Sequence, residues 1–155
     1  DLQQDELGCF LCTAHPAKFL ETLVDVLGQE IELPAELAKR AHAFSVLAFV
    51  GGEPAGLVNC FEGFSTFACR PLVNVHDVAV LASHRGRRIG EQMLALAEQM
   101  ARERGACKLT LEVLSGNAPA MRLYQRVGFA GYQLDPSMGT AQFLQKWLPG
   151  PGDAA

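Results

Sequence analysis

Residues 73–105 read VNVHDVAVLASHRGRRIGEQMLALAEQMARERG, and this stretch decides the fold. Its first nine residues are rich in valine and predict a strand that ends near Leu81. Its second half repeats apolar residues at three- and four-residue steps, which predicts an amphipathic helix that Gly105 ends. The apolar residues on the predicted helix face are Ile89, Met93, Leu96, Ala97 and Met100.

A second strand and a second helix follow directly. Apolar and polar residues alternate from Cys107 to Val113, as in a strand. Asn117 stands where it can cap a helix over 118–127, and Gly128 closes that helix. Because strands and helices alternate through this region, the sequence predicts crossover connections and at least one parallel pair of strands.

A hairpin is predicted before this unit, where apolar runs at 44–50 and 55–61 flank Gly51-Gly52. The other expected elements are a strand at 8–13, a helix at 16–27, a helix opening at Pro34 and a final strand pair at 129–134 and 140–148. We therefore predict a single α/β domain with a mixed sheet over 1–148 and a loose tail at 149–155.

Composition excludes several classes of protein. The 155 residues are 49% apolar and 19% charged, which excludes wholesale disorder, and the apolar runs are too short for a membrane span. The net charge of −4 argues against a nucleic-acid partner.

Five cysteines, an odd number, favour a reducing, cytoplasmic compartment. Cys9 and Cys12 have the spacing of half a zinc knuckle, but no second pair follows, so we predict no metal centre. The chain starts at Asp1 without a methionine, which predicts that the native protein extends further.

The basic turn His84–Gly90 lies between the predicted strand and helix. Three arginines in four residues, two glycines and the positive end of a helix dipole are together the parts of a diphosphate cradle. The alternative is a solvated basic turn whose glycines serve geometry only. The glycine spacing matches neither a P-loop nor a dinucleotide fingerprint.

The second helix carries a second pattern, in which Asn117 begins the helix and Tyr124 follows two turns later. Taken alone, this pattern fits an ordinary capped helix with a core tyrosine. In this order, however, the two patterns resemble the signatures of the GNAT superfamily of N-acetyltransferases.

The first family signature, Arg/Gln-x-x-Gly-x-Gly/Ala, is similar to Arg85–Gly90, with Arg88 where the family prefers glycine. The second, Asn-x-x-Ala-x-x-Leu-Tyr followed by Gly-Phe, is matched in full by Asn117, Ala120, Leu123, Tyr124, Gly128 and Phe129. The resemblance implies a central, mostly antiparallel sheet with a splayed parallel strand pair, flanked by helices.

The resemblance also implies that acetyl-CoA lies between the strands at 73–80 and 107–113, with no metal required. The cofactor-binding residues that it implies are Val78, Ala79, Val80, Arg85, Gly86, Arg87, Arg88, Ile89, Gly90, Glu91 and Asn117. Tyr124 would donate the proton to the leaving thiolate. Glu112 matches the glutamate that serves as base in ribosomal-protein N-terminal acetyltransferases, and the alternative for it is a structural carboxylate.

Other groups compete for the role of base or line the acceptor site. His76 and Asp77 are adjacent, so a regular strand would point them to opposite faces, and Asp77 is expected to be structural. Glu62 follows the hairpin among aromatic residues and could bind a cationic amine. The predicted acceptor-binding residues are Phe61, Glu62, Phe64, Asn74 and His76.

The sequence thus predicts an enzyme that moves acetyl from acetyl-CoA to a primary amine of a small molecule or peptide, by direct transfer in a ternary complex. One alternative is a non-catalytic acyl-CoA sensor on the same fold, since fold does not fix function. Another is a nucleic-acid-binding module that uses the arginine turn. A homodimer is plausible from the resemblance.

Overall fold

A computed structural model describes residues 7–12, 41–132, 135, 137, 139 and 141–148, with 7–12 described by their backbone. The helices predicted at 16–27 and from Pro34 lie outside these residues. The elements in chain order are β1 (Leu7–Cys12), β2 (Ala43–Val50), β3 (Glu53–Ser65), β4 (Arg70–Val80), a 3-10 turn (Ala82–His84), α1 (Ile89–Glu103), β5 (Leu109–Leu111) and α2 (Ala118–Arg126).

The five strands form one sheet in the order β1-β2-β3-β4-β5. The first three pairings are antiparallel, and β4 pairs with β5 in parallel. Parallel neighbours need a crossover connection, which α1 supplies. The predicted mixed sheet with one parallel pair is therefore confirmed.

The predicted hairpin between β2 and β3 is also confirmed. Gly51 and Gly52 turn the chain with φ of +59° and +86°, a region that glycine enters without steric cost. The strand β3 runs beyond its predicted end to Ser65, because it stays paired with β4 as far as Arg70.

The main core lies between α1 and one face of the sheet. Met93 and Ala97 of α1 are fully buried, as are Val58 of β3 and Val73 of β4. A Cβ added to Gly56 would lie 2.8 Å from Met93 Cε of α1, so the absence of a side chain there lets the helix pack closely on the sheet. This packing therefore holds the N-terminus of α1 in a fixed position above β4.

The predicted final strand pair is absent from the described residues, since neither 129–132 nor 141–148 forms a strand. The amides of Gly128 and Phe129 are bonded to Gln125 and Tyr124 carbonyl oxygens at the end of α2, so no strand begins there. The apolar residues of the last segment are spaced one and three apart rather than alternating, which does not suit a half-buried strand. They are exposed: Phe143, Leu144, Trp147 and Leu148.

Candidate active site

The parallel strands β4 and β5 separate soon after they meet. Their pairing covers three residue pairs, from Val73 opposite Leu109 to Val75 opposite Leu111. β4 then continues to Val80 alongside β3, while β5 ends at Leu111. The predicted split between these strands is present, and it opens on the second half of β4.

The backbone of β4 presents peptide groups to this split. The N–H of Leu81 donates to the carbonyl oxygen of Ala55 at 2.9 Å, so Leu81 turns its polar groups toward β3. Because the direction alternates along an antiparallel ladder, Val80 and Val78 turn theirs away from β3, toward the open edge. The same alternation directs the peptide groups of Ala79 to β3, so Ala79 does not share the role predicted for its neighbours.

The turn from β4 into α1 has left-handed backbone at two positions. Gly86 has φ of +80° and Arg88 has φ of +59°. A residue with a side chain is strained in this region by roughly 1–2 kcal/mol, which explains why a glycine is preferred where Arg88 stands. The departure from the family pattern therefore keeps the backbone shape that a glycine would adopt.

The N-terminus of α1 has no side-chain cap, so its first backbone N–H groups point outward at the positive end of the helix dipole. Arg85, Arg87 and Arg88 are exposed beside it. Arg85 also anchors the turn, since its Nε donates to the carbonyl oxygen of Val80 at 3.2 Å. The arrangement suits a bound anion.

Two residues of this turn serve packing between the helices. A Cβ on Gly90 would lie 2.9 Å from Leu123 Cδ2, so Gly90 is required for close contact of α1 with α2. The carboxylate of Glu91 forms an ion pair with Arg126 Nη2 at 2.8 Å. Ile89 is buried. These three residues can therefore offer a ligand their backbone rather than their side chains.

The start of α2 is capped as predicted. The side chain of Asn117 accepts a hydrogen bond from the N–H of Ala120 at 3.3 Å. This bond satisfies one of the unpaired amides of the first helical turn. The amide nitrogen of the Asn117 side chain is not used by that bond.

Tyr124 lies on α2, partly buried against the main core. Its ring meets Phe129 edge-on, with 5.9 Å between ring centroids. Burial raises the pKa of the Tyr124 hydroxyl above its ordinary value. The phenol is therefore held in the protonated form, which is the form that can donate a proton.

Glu112 and Thr110 share a face, as predicted. Asn74 Nδ2 donates to Thr110 Oγ1 at 3.2 Å and lies 3.3 Å and 3.2 Å from the two carboxylate oxygens of Glu112. The amide therefore bridges β4 to the end of β5 at the mouth of the split. Glu112 itself is exposed.

His76 and Asp77 point to the same face, contrary to the expectation from a regular strand. Asn59 pairs with Asp77 and Cys60 pairs with Val75, so His76 is an extra residue in β4. Such a bulge breaks the alternation of side chains. The ring of His76 meets that of Phe61 edge-on, with 5.3 Å between ring centroids. Asp77 accepts a hydrogen bond from Asn59, which lies two residues before Phe61 on β3 and therefore on the same face.

The predicted acceptor pocket of Phe61, Glu62 and Phe64 is not formed. Residues of one strand alternate between faces, so Glu62 and Phe64 lie opposite to Phe61. Glu62 faces α1, where Arg104 Nη1 lies 3.5 Å from its carboxylate and His42 lies at the same distance. Glu62 is therefore engaged on the other side of the sheet from Asn74 and Glu112.

The sequence analysis missed two polar residues on the face of the sheet that carries Asn74 and Glu112. Ser45 and Asn59 are 5% and 4% exposed, and the Ser45 hydroxyl donates to Asn59 Oδ1 at 2.6 Å. The available signal was a polar residue inside the apolar run 55–61. A cleft of about 440 Å³ elsewhere lies between α1 and the end of α2, and it is lined by neither Tyr124 nor the basic turn.

Comparison with known protein families matches residues 7–129 to the acetyltransferase (GNAT) family. The chain belongs to the GNAT family. Members of this family use acetyl-CoA as the acetyl donor, and both signatures found in the sequence lie within the matched residues. Within the described part of this GNAT chain, no helix has the length and hydropathy that a membrane crossing requires.

Two named acetyltransferases are similar to this GNAT chain. Streptothricin acetyltransferase of Streptomyces lavendulae is 42% identical over 92 residues, 58% of this chain and 47% of that protein. L-methionine sulfoximine/L-methionine sulfone acetyltransferase of Pseudomonas paraeruginosa is 30% identical over 133 residues, 83% of this chain and 72% of that protein. The chain thus spans less than half the length of the streptothricin enzyme.

A short similarity of another kind is also present. A stretch of 41 residues, 26% of this chain, is 60% identical to threonine synthase of Serratia marcescens and covers 10% of that protein.

Among solved structures, an aminoglycoside acetyltransferase from an uncultured soil metagenomic sample superposes on this chain with a TM-score of 0.75 at 14% identity. The superposition covers 92% of this chain and 97% of the other. That likeness establishes the GNAT fold.

Proposed function

We propose that this protein is an N-acetyltransferase that moves the acetyl group of acetyl-CoA directly to a primary amine in a ternary complex. One observation carries the proposal. The peptide groups of Val78 and Val80 face an open edge of the sheet, and the uncapped N-terminus of α1 follows directly after it. Backbone amides in a split and a positive helix end suit a long amide-bearing arm that ends in a diphosphate.

The residues of the split and the turn would hold the donor. Val78 would pair with the amides of the pantetheine arm as a neighbouring strand would, and Val80 would offer its N–H, because its carbonyl oxygen already accepts from Arg85. The N–H groups of residues 86–91 would bind the diphosphate, and the three exposed arginines would add positive charge. Asn117 would use its free amide nitrogen. Acetyl-CoA supplies the acetyl thioester.

Tyr124 would donate its hydroxyl proton to the thiolate as the carbon–sulfur bond breaks and the new carbon–nitrogen bond forms. Its partial burial keeps the proton in place at neutral pH. A thiol with a pKa of ~8.5 is already a tolerable leaving group, so the gain from this proton is modest, about 10²-fold in turnover.

Glu112 would take the proton that the amine loses, directly or through water. The Asn74 amide holds the carboxylate at the mouth of the split. A lysine-like amine of pKa ~10.4 is about one part in 10³ neutral near pH 7.4, so the reaction of such an amine benefits from a base. His76 lies on the same face and stays a competing candidate.

Thiol release measures the proposed reaction. We would first titrate the protein with coenzyme A by calorimetry and then follow free thiol formed from acetyl-CoA with streptothricin, an aminoglycoside, methionine sulfoximine and an N-terminal alanine peptide. Transfer to at least one amine, with the product identified by mass, is expected. Coenzyme A binding without release in the presence of any amine would favour the sensor function, and the absence of binding would end the proposal.

We also propose that the enzyme is cytoplasmic and forms a homodimer. The odd number of cysteines favours a cytoplasmic enzyme, and the family resemblance favours a homodimer. Cell fractionation would test the first, and sedimentation equilibrium would test the second.

A further inference from the structure

We infer that Asp77 binds the ammonium group of the acceptor, and that Ser45 and Asn59 are positioning residues that orient its carboxylate. This inference rests on the proposed acetyltransferase function and adds a residue to it. It assigns the acceptor to the cationic amines, with Asp77 as its anionic contact.

The three residues lie directly opposite one another on adjacent strands. Ser45 of β2 pairs with Asn59 of β3, which pairs with Asp77 of β4. The Ser45 hydroxyl donates to Asn59 Oδ1 at 2.6 Å, and Asn59 Nδ2 donates to Asp77 Oδ2 at 3.0 Å. A row of hydrogen bonds therefore crosses three strands and ends at a carboxylate.

The direction of this row is fixed by chemistry. An ionised carboxylate can only accept hydrogen bonds, so Asn59 must turn its NH₂ group toward Asp77. Its carbonyl oxygen then faces β2, where the Ser45 hydroxyl satisfies it. Loss of either buried partner would leave an unsatisfied polar group, which holds the row in one arrangement.

The two positioning residues differ from Asp77 in their exposure to solvent. Ser45 and Asn59 are almost completely buried, whereas Asp77 is exposed. Buried polar groups cost free energy unless they are bonded, and apolar residues would fill β2 and β3 without that cost. The two polar residues are thus explained by what they do for the exposed carboxylate.

Asp77 also stands at the right place along β4. It lies two residues beyond Val75, the last residue of β4 paired with β5, and so beside the open split. The bulge at His76 turns both side chains to the face that carries Asn74 and Glu112. Among the described cationic side chains, none forms an ion pair with Asp77.

Two exposed carboxylates on one face favour an acceptor with more than one positive charge. Asp77 would bind one ammonium group while Glu112 serves the amine that reacts. An acceptor that carries a phosphonate beside its amine, or that carries two carboxylates, would be repelled by Asp77 and Glu112.

Streptothricin, which carries several amines, is a suitable probe because its binding can be measured without turnover. We would titrate it by calorimetry into the protein saturated with coenzyme A. Asp77→Asn should weaken binding by about 10- to 100-fold, as expected for loss of a charge-assisted hydrogen bond, with coenzyme A affinity unchanged. Asp135→Asn makes the same change of charge at an exposed site and should leave binding unchanged.

The positioning role needs a variant that keeps the fold. The double variant Ser45→Ala/Asn59→Leu replaces the buried polar pair by apolar groups of similar size, so its melting temperature should be equal or higher. Its streptothricin affinity should nevertheless fall by about 3- to 10-fold, because Asp77 loses its orienting bond. Addition of Asp77→Asn to this double variant should then cost less than it does in the wild type.

The outcomes separate this inference from the proposed function. Normal streptothricin affinity of Asp77→Asn, or the same loss in Asp135→Asn, overturns the inference even if acetyl transfer proceeds. Failure of the wild type to bind streptothricin, spermidine or an aminoglycoside overturns it as well. Weaker binding by Asp77→Asn in a protein that transfers no acetyl group would sustain the inference and reject the enzyme.

Discussion

Gly90 of α1 and Leu123 of α2 meet so closely that a Cβ on the glycine would lie 2.9 Å from Leu123 Cδ2. The contact joins the helix whose N-terminus faces the split to the helix that carries Tyr124. The ion pair of Glu91 with Arg126 ties the same two helices together. The donor-binding turn and the proposed proton donor are therefore held in one rigid arrangement.

Gly90→Val should destabilise the protein by about 1–3 kcal/mol, because a β-branched side chain has no room between α1 and Leu123. Gly90→Ala should cost less, since the end of a leucine side chain can move and alanine favours a helix. Thermal unfolding measures both. Gly116→Ala, where a Cβ meets nothing within 4 Å, is the control, and an equal loss there would contradict the packing argument.

Arg88→Gly and Arg87→Gly remove the same charge from the same turn, but only Arg88 has a positive φ. Glycine relieves the strain of about 1–2 kcal/mol at position 88 and gives no such relief at position 87. Chemical unfolding should therefore find Arg88→Gly the more stable of the two variants. Equal stabilities would mean that the left-handed turn is not strained.

Tyr124→Phe should lower turnover by about 10²-fold and leave the affinity for coenzyme A unchanged. The raised pKa of the hydroxyl keeps it protonated to higher pH than an ordinary tyrosine. The loss of activity that comes from its ionisation should accordingly have its midpoint above pH 10.0, the ordinary value. Unchanged turnover, measured by thiol release, would remove Tyr124 from the mechanism.

Cys60 should make the fold sensitive to alkali. Burial raises the pKa of its thiol from 9.0 to about 12. Below pH 9 both the folded and the unfolded chain keep the proton, so stability is unaffected. Above pH 9 the unfolded chain loses it first, and the free energy of unfolding should fall by about 1.4 kcal/mol per pH unit.

Urea unfolding at pH 8 and pH 10 tests this dependence. Cys60→Ala lowers stability at both values by opening a cavity, but it should abolish the difference that comes from the thiol. Thiol reagents should modify exposed Cys69 in the native protein and reach Cys60 only on unfolding. Rapid native labelling of Cys60 would contradict its burial.

The sequence by itself determined the order of strands and helices from Ala43 to Arg126, because hydrophobic periodicity and glycine stops act locally. It also determined that Asn117 caps α2 and that Thr110 and Glu112 share a face, since both depend on spacing within one element. The two signatures identified the family for the same reason, because each is a short continuous stretch.

Tertiary structure decided what depends on pairing between distant strands. The bulge at His76 exists only in the register of β4 against β3, so the shared face of His76 and Asp77 could not be read from alternation. Alternation along β3 alone puts Glu62 opposite to Phe61, but only the tertiary structure shows that Arg104, far along the chain, is its partner there. The row from Ser45 to Asp77 joins three strands side by side, and local sequence carries no record of which residues stand opposite one another.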